Sequence, residues 1–136
     1  MNRTVLIVDD EPALRKLFRI TLGVEGYTVV EADDGRSALE ALDFYQPDLV
    51  IQDLILPDMH GSELIGRLRA RPAGANIPIL AVSGLEPDAS IPADRCFGFT
   101  QVLVKPVAPS HLVRTVVGYL CGNASEVPER VLSAIA

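Results

Sequence analysis

The sequence predicts an α/β fold, a doubly wound parallel sheet of five strands, from three observations. Short β-branched runs alternate with segments of helical period from about residue 4 to residue 120. The strand-like runs are apolar along their length, as in sheets covered by helices on both faces. The 136 residues, 49% hydrophobic and 22% charged, suffice for one domain with a proper core and are too few for two.

The first strand is "TVLIV", residues 4–8. After Pro12, Leu14, Leu17, Phe18 and Leu22 follow an i, i+3, i+4, i+8 helical stripe. "YTVVEA" is the second strand, and "RSALEALDFY", preceded by Asp34 and Gly35, the second helix. "LVIQ" is the third strand, and residues 62–71 make a helix with Leu64, Ile65 and Leu68 on one face, stopped by Pro72. "IPILAVSG" supplies the fourth strand and "VLV", residues 102–104, a short fifth. Pro109 and Ser110 open the last helix, whose Leu112, Val113, Val116, Val117 and Leu120 form a wide apolar face. Between Ser83 and Val102, Pro87 and Pro92 interrupt any long helix, so the fourth helix is expected to be short or irregular. Residues 1–121 are read as the domain. Residues 122–136 are read as a C-terminal linker or short helix, with Val131, Leu132 and Ile135 at helical spacing. There is no internal repeat.

A net charge of −6 argues against direct nucleic-acid binding, which needs a basic face. No apolar stretch could span a bilayer, and "MNRTVLIVDD" turns acidic where a secretory signal would stay apolar, so no membrane association and a cytoplasmic location are expected. Cys96 and Cys121 lack the close pairing of a metal knuckle or redox motif and read as reduced structural thiols.

Chemistry concentrates where the strands end. In an open parallel sheet, ligands bind outside the carboxyl ends of the strands. Asp9 and Asp10 follow the first strand, Asp53 the third, Ser83 the fourth and Lys105 the fifth. Three carboxylates at one pocket repel one another, and a hard divalent cation relieves this; Mg²⁺ suits one or two carboxylates, waters and a phosphate oxygen. A lysine and a hydroxyl opposite the cation can hold the other phosphoryl oxygens. The implied chemistry is phosphoryl transfer to an aspartate.

Four ordered strings, "VLIVDDEP", "DLVIQDLILPDMHG", "ILAVSG" and "VLVKPV", resemble the receiver domain of two-component response regulators from about Thr4 to Leu120. The resemblance implies a flavodoxin-like (βα)5 fold with strand order 2-1-3-4-5. It implies that Asp53 accepts phosphate from a histidine kinase or phosphotransfer protein. Asp10, Asp53 and the backbone carbonyl of Ile55 would bind Mg²⁺, with Asp9 assisting through water. Ser83 and Lys105 would bind phosphoryl oxygens, and the bond before Pro106 would be cis. Such a domain catalyses only its own phosphorylation and dephosphorylation, and acts on a downstream protein or output domain; a homodimer is a further arrangement left open.

The sequence departs from the family at Val102, where an aromatic switch residue usually stands, so an atypical output is expected. Ile55 and Leu85 are apolar where they would flank the hydrolytic water, which predicts slow autodephosphorylation. Phe97 and Phe99 lie near the switch position, with nothing in the sequence to mark either as a substitute.

Plainer roles stand beside these. Asp9 and Asp10 suit the start of a helix as caps, Lys105 a solvated strand end, and Ser83 a turn. His60 and His111 read as surface residues, and Gly61 as a turn glycine. A phosphorylation-independent pseudo-receiver, acting as an interaction module, is the alternative function. An aspartyl phosphatase would need an acid where Ile55 stands, and a dinucleotide enzyme a glycine-rich turn where "DDEPAL" follows the first strand.

Overall fold

A computed structural model describes residues 3–84 and 98–121. Its strands are β1 (Thr4–Val8), β2 (Thr28–Ala32), β3 (Leu49–Asp53), β4 (Ile79–Ser83) and β5 (Gln101–Val104). The described helices are α1 (Pro12–Val24), α2 (Gly35–Tyr45), α3 (Gly61–Arg69) and α4 (Pro109–Leu120), with a 3-10 turn at Pro72–Gly74. All strand pairs are parallel and the order is β2-β1-β3-β4-β5. The chain thus folds as a five-stranded, doubly wound flavodoxin-like sheet. The irregular fourth helix expected before β5 and the C-terminal segment lie outside the described residues, as do Cys96, Phe97 and Leu85.

Strand residues alternate between two cores because successive side chains leave a pleated strand on opposite faces. Leu6, Val8, Val50, Ile79 and Ala81 face α2 and α3, packing with Leu42, Leu64, Ile65 and Leu68. Val5, Ile7, Leu49, Ile51, Leu80 and Val82 face α1 and α4, packing with Phe18, Leu22, Leu112 and Val116. The α1 stripe is narrower than the sequence pattern implies. Phe18 and Leu22 are buried while Leu17 is 43% exposed, since the seam is carried by the i, i+4 pair and Leu17 lies one step round the helix.

Capping fixes where the helices begin. Asp34 accepts from the Ser37 amide at 2.8 Å, and Ser37 Oγ accepts from the Asp34 amide at 3.3 Å, a reciprocal box that starts α2 next to the carboxyl edge of the sheet. At α3, His60 Nδ1 accepts from the Ser62 amide at 3.0 Å, so this exposed histidine is a helix cap. The helix ends at Arg69, two residues before the expected stop. The Arg69 guanidinium folds back to donate to the carbonyls of Gly74, Ile77 and Gly98, which ties the α3 end to the segments flanking β4. Among the described residues, no helix is long and apolar enough to cross a membrane.

Candidate functional site

Parallel topology delivers the predicted residues to one edge. β1 and β3 are adjacent, so the chain leaving Val8 places Asp9 beside the end of β3, where Asp53 sits opposite Val82. Ser83, the last residue of β4, lies opposite Val104 of β5, and Lys105 donates its amide to the Ser83 carbonyl at 2.7 Å. Asp9, Asp53 and Ser83 are buried, Asp10 is exposed, and the Lys105 side chain is partly covered.

The carboxylates of Asp9, Asp10 and Asp53 bring oxygens within 4.8 Å of one another. Lys105 Nζ lies 3.3 Å from Asp53 Oδ2 and 3.5 Å from Asp9 Oδ2. Burial raises the pKa of Asp9 above the usual carboxylate range, with the nearby Asp53 adding to the effect against the opposing Glu11 amide and Lys105. Burial alone would lower the Lys105 pKa. The charges of Asp53 and Asp9 outweigh it, so the ammonium is held more firmly protonated than usual.

Three anionic side chains with one shared ammonium form a hard-oxygen donor set that retains uncompensated negative charge. That chemistry fits Mg²⁺, which prefers a few carboxylates and keeps water for its remaining positions. Ile55, two residues beyond Asp53, donates its amide to Asp53 Oδ1 at 3.3 Å and leaves its side chain 58% exposed.

The plainer roles are partly realised. The cap of α1 is Glu11, whose side chain makes no capping bond, whereas Asp9 Oδ1 accepts from the Glu11 amide at 2.9 Å. Asp9 therefore shapes the helix entry and faces the pocket with its other oxygen. Gly61 differs from expectation. It is the first residue of α3, and a Cβ there would stand 2.7 Å from Leu54 Cα, so glycine is needed for close approach to the strand end. The Lys105–Pro106 peptide bond is cis. Val102 is partly buried, pairs with Ala81 and packs on the α2–α3 core, while Phe99 is buried in the same core. His111 is exposed.

Sequence reasoning missed three supporting residues. Arg15 donates to the Asp9 carbonyl at 2.6 Å and to Glu31 at 3.2 Å, steadying the acidic turn. Gln52 Nε2 donates to the Gly61 carbonyl at 3.1 Å from full burial. Asp58 accepts from the amides of Gly35 and Arg36. Gln52 carried a faint signal, a polar residue inside an apolar strand; the others depend on contacts that spacing does not encode.

The chain is thus a doubly wound parallel α/β module with an acidic carboxyl edge and a lysine opposite. The sequence profile of the response regulator receiver domain matches residues 5–117, and the chain belongs to that family. It is 38% identical over 115 residues to an uncharacterized 14.6 kDa protein in the sodA1 3′ region of Leptolyngbya boryana, covering 85% of this chain and 88% of that one. It is 33% identical to the DNA-binding response regulator MtrA of Mycolicibacterium smegmatis, covering 98% of this chain and 57% of the regulator. Likewise it is 37% identical to the Regulator of RpoS of Escherichia coli, of which it spans 38%.

Among solved structures, the chemotaxis response regulator CheY4 of Vibrio cholerae superposes with a TM-score of 0.79 at 32% identity, covering 85% of this chain and 97% of that one. The receiver domain of a sensor histidine kinase from Pseudomonas aeruginosa, solved with a magnesium ion coordinated in its active site cleft, gives 0.77 at 25% identity, covering 88% and 98%. The chain is thus a receiver domain of two-component signalling.

Proposed function

We propose that this receiver takes a phosphoryl group onto Asp53 from a histidine kinase or phosphotransfer protein and thereby changes its affinity for a downstream partner. The observation that carries the reading is the convergence of Lys105 Nζ on Asp53 Oδ2 at 3.3 Å within the three-carboxylate cluster. An Asp53 oxygen attacks phosphorus and the P–N bond of the donor phosphohistidine breaks. Its electron pair returns to the imidazole, and the product is an aspartyl acyl phosphate.

Asp10, Asp53 and the Ile55 carbonyl would hold Mg²⁺, with Asp9 acting through water. A bound Mg²⁺ supplies charge neutralisation for the incoming phosphoryl oxygens. Lys105 exchanges its carboxylate partner for a phosphoryl oxygen as negative charge builds on the group, and the Ser83 hydroxyl donates to another. The readout passes through the segment around β5, where Val102 lacks the length and polar tip to act as an aromatic switch. The output surface is therefore expected to differ from that of receivers that use one. Turnover of a separate substrate is not part of this function.

Intact-mass measurement after incubation with Mg²⁺ and acetyl phosphate tests the reading. Wild type should gain one phosphoryl group and Asp53→Asn none. If wild type gains nothing and Mg²⁺ does not bind, the domain acts instead as a phosphate-independent interaction module.

A further inference from the structure

The loop joining β3 to α3, residues 54–60, carries the Ile55 carbonyl and must hold its shape while charge changes beside it. Its neck is tied by the Gly61 amide donating to the Leu54 carbonyl at 2.6 Å, by Gln52 donating to the Gly61 carbonyl, and by an antiparallel bridge between Ile55 and His60. Leu54 and Leu56 are buried in the α2–α3 core. The tip is held differently, by another element. Asp58 Oδ1 accepts from the Gly35 amide at 2.8 Å and Asp58 Oδ2 from the Arg36 amide at 2.9 Å. These are the first two amides of α2, where a carboxylate is favoured by unsatisfied donors and by the helix dipole. The adjacent Met59 lies so close over Gly35 that a Cβ at position 35 would come within 2.6 Å of its sulfur.

We propose that Asp58 and the amino end of α2 form a clasp that sets the β3–α3 loop. Asp58 is thereby a positioning residue for cation and phosphoryl binding at Asp53. The inference rests on the phospho-acceptor reading above. The clasp fixes the loop tip three residues from Ile55, and so holds the loop that carries the expected carbonyl ligand in one shape before a cation arrives. Outer partners that orient ligands in this way typically alter metal affinity by about 10- to 100-fold when removed.

The test is calorimetric titration of Mg²⁺ into the full chain as wild type, Asp58→Ala, Asp58→Asn and Asp34→Ala, each first checked for folding by circular dichroism. Asp34→Ala removes the neighbouring cap of α2 without touching the loop and reports what simple loss of helix stability does. Asp58→Ala should weaken Mg²⁺ binding about tenfold or more. Asp58→Asn, which keeps one oxygen acceptor, should fall between it and wild type, and Asp34→Ala should bind as wild type. Acetyl phosphate labelling of Asp58→Ala should recover at saturating Mg²⁺. Should Asp58→Ala fail to fold, the Asp58→Asn affinity decides. A folded Asp58 variant that binds Mg²⁺ as wild type does, or a matching loss in Asp34→Ala, overturns the clasp alone; absence of Mg²⁺ binding in wild type overturns the phospho-acceptor reading on which it stands.

Discussion

Lys105 and Asp53, 52 residues apart in the chain, meet at 3.3 Å at the carboxyl edge of the sheet. The same ammonium reaches Asp9 at 3.5 Å, so one cation serves two buried carboxylates. On the proposed function, it balances these carboxylates before phosphorylation and is released toward the phosphoryl group afterwards.

Replacing Lys105 should separate these roles. Lys105→Ala removes a donor aimed at developing phosphoryl charge and should slow acetyl phosphate labelling about 100-fold. Mg²⁺ should bind at least as tightly as to wild type, because a competing positive charge has gone. Weaker Mg²⁺ binding in this variant would show that Lys105 mainly organises the carboxylates.

Asp34 provides a pH dependence with a defined sign. Its hydrogen bonds from Ser37 hold the carboxyl below its ordinary value of 3.8 in the folded state. The unfolded chain thus binds the proton more readily, so the cap contributes fully above the ordinary value and its contribution is lost as pH falls through the lower folded one. Asp34→Ala should cost about 1 kcal/mol at neutral pH. Urea titrations at neutral and strongly acidic pH should show the gap between wild type and variant narrowing in acid; a gap independent of pH would remove the carboxylate from the account.

At Gly61 an added methyl group meets the backbone of the β3 end, with Leu54 Cα at 2.7 Å and the Asp53 and Leu54 carbonyl oxygens at 3.0 Å. Such overpacking costs about 1–3 kcal/mol. Gly61→Ala should lower the urea midpoint accordingly and weaken Mg²⁺ binding, because the atoms that must move belong to the end of β3 and the loop that follows it. Unchanged stability would mean that the loop yields freely.

Ile55, two residues beyond Asp53 and hydrogen-bonded to it through its amide, leaves an apolar side chain 58% exposed. A polar side chain there could orient water toward the acyl phosphate, whereas isoleucine cannot. Ile55→Gln should shorten the lifetime of the phosphorylated protein, followed as loss of the mass adduct after removal of acetyl phosphate. The same lifetime in both proteins would place control of hydrolysis elsewhere.

The sheet was legible because each strand is a short apolar run ending at a chemically distinct residue, and parallel topology carries all those ends to one edge. Asp53, Lys105, Asp9 and Asp10 could therefore be placed together without coordinates. Asp58 and Arg15 could not. The amides that Asp58 caps lie 23 and 22 residues earlier in the chain, and nothing local to "PDMHG" marks that pairing. Gly61 was misread because a close backbone approach and a turn leave the same letter in the sequence. Leu17 was assigned to the α1 seam because its spacing from Leu14 suits one face, while the packing of Phe18 and Leu22 set the helix rotation.

The most direct measurement locates the phosphoryl group. After labelling with acetyl phosphate and Mg²⁺, borohydride converts an aspartyl acyl phosphate to homoserine, which peptide mass spectrometry can place in the sequence. Homoserine at position 53, absent when Mg²⁺ or acetyl phosphate is withheld, is the predicted result. Homoserine at another position, or none in a protein that binds Mg²⁺, would contradict the assignment of Asp53 as acceptor.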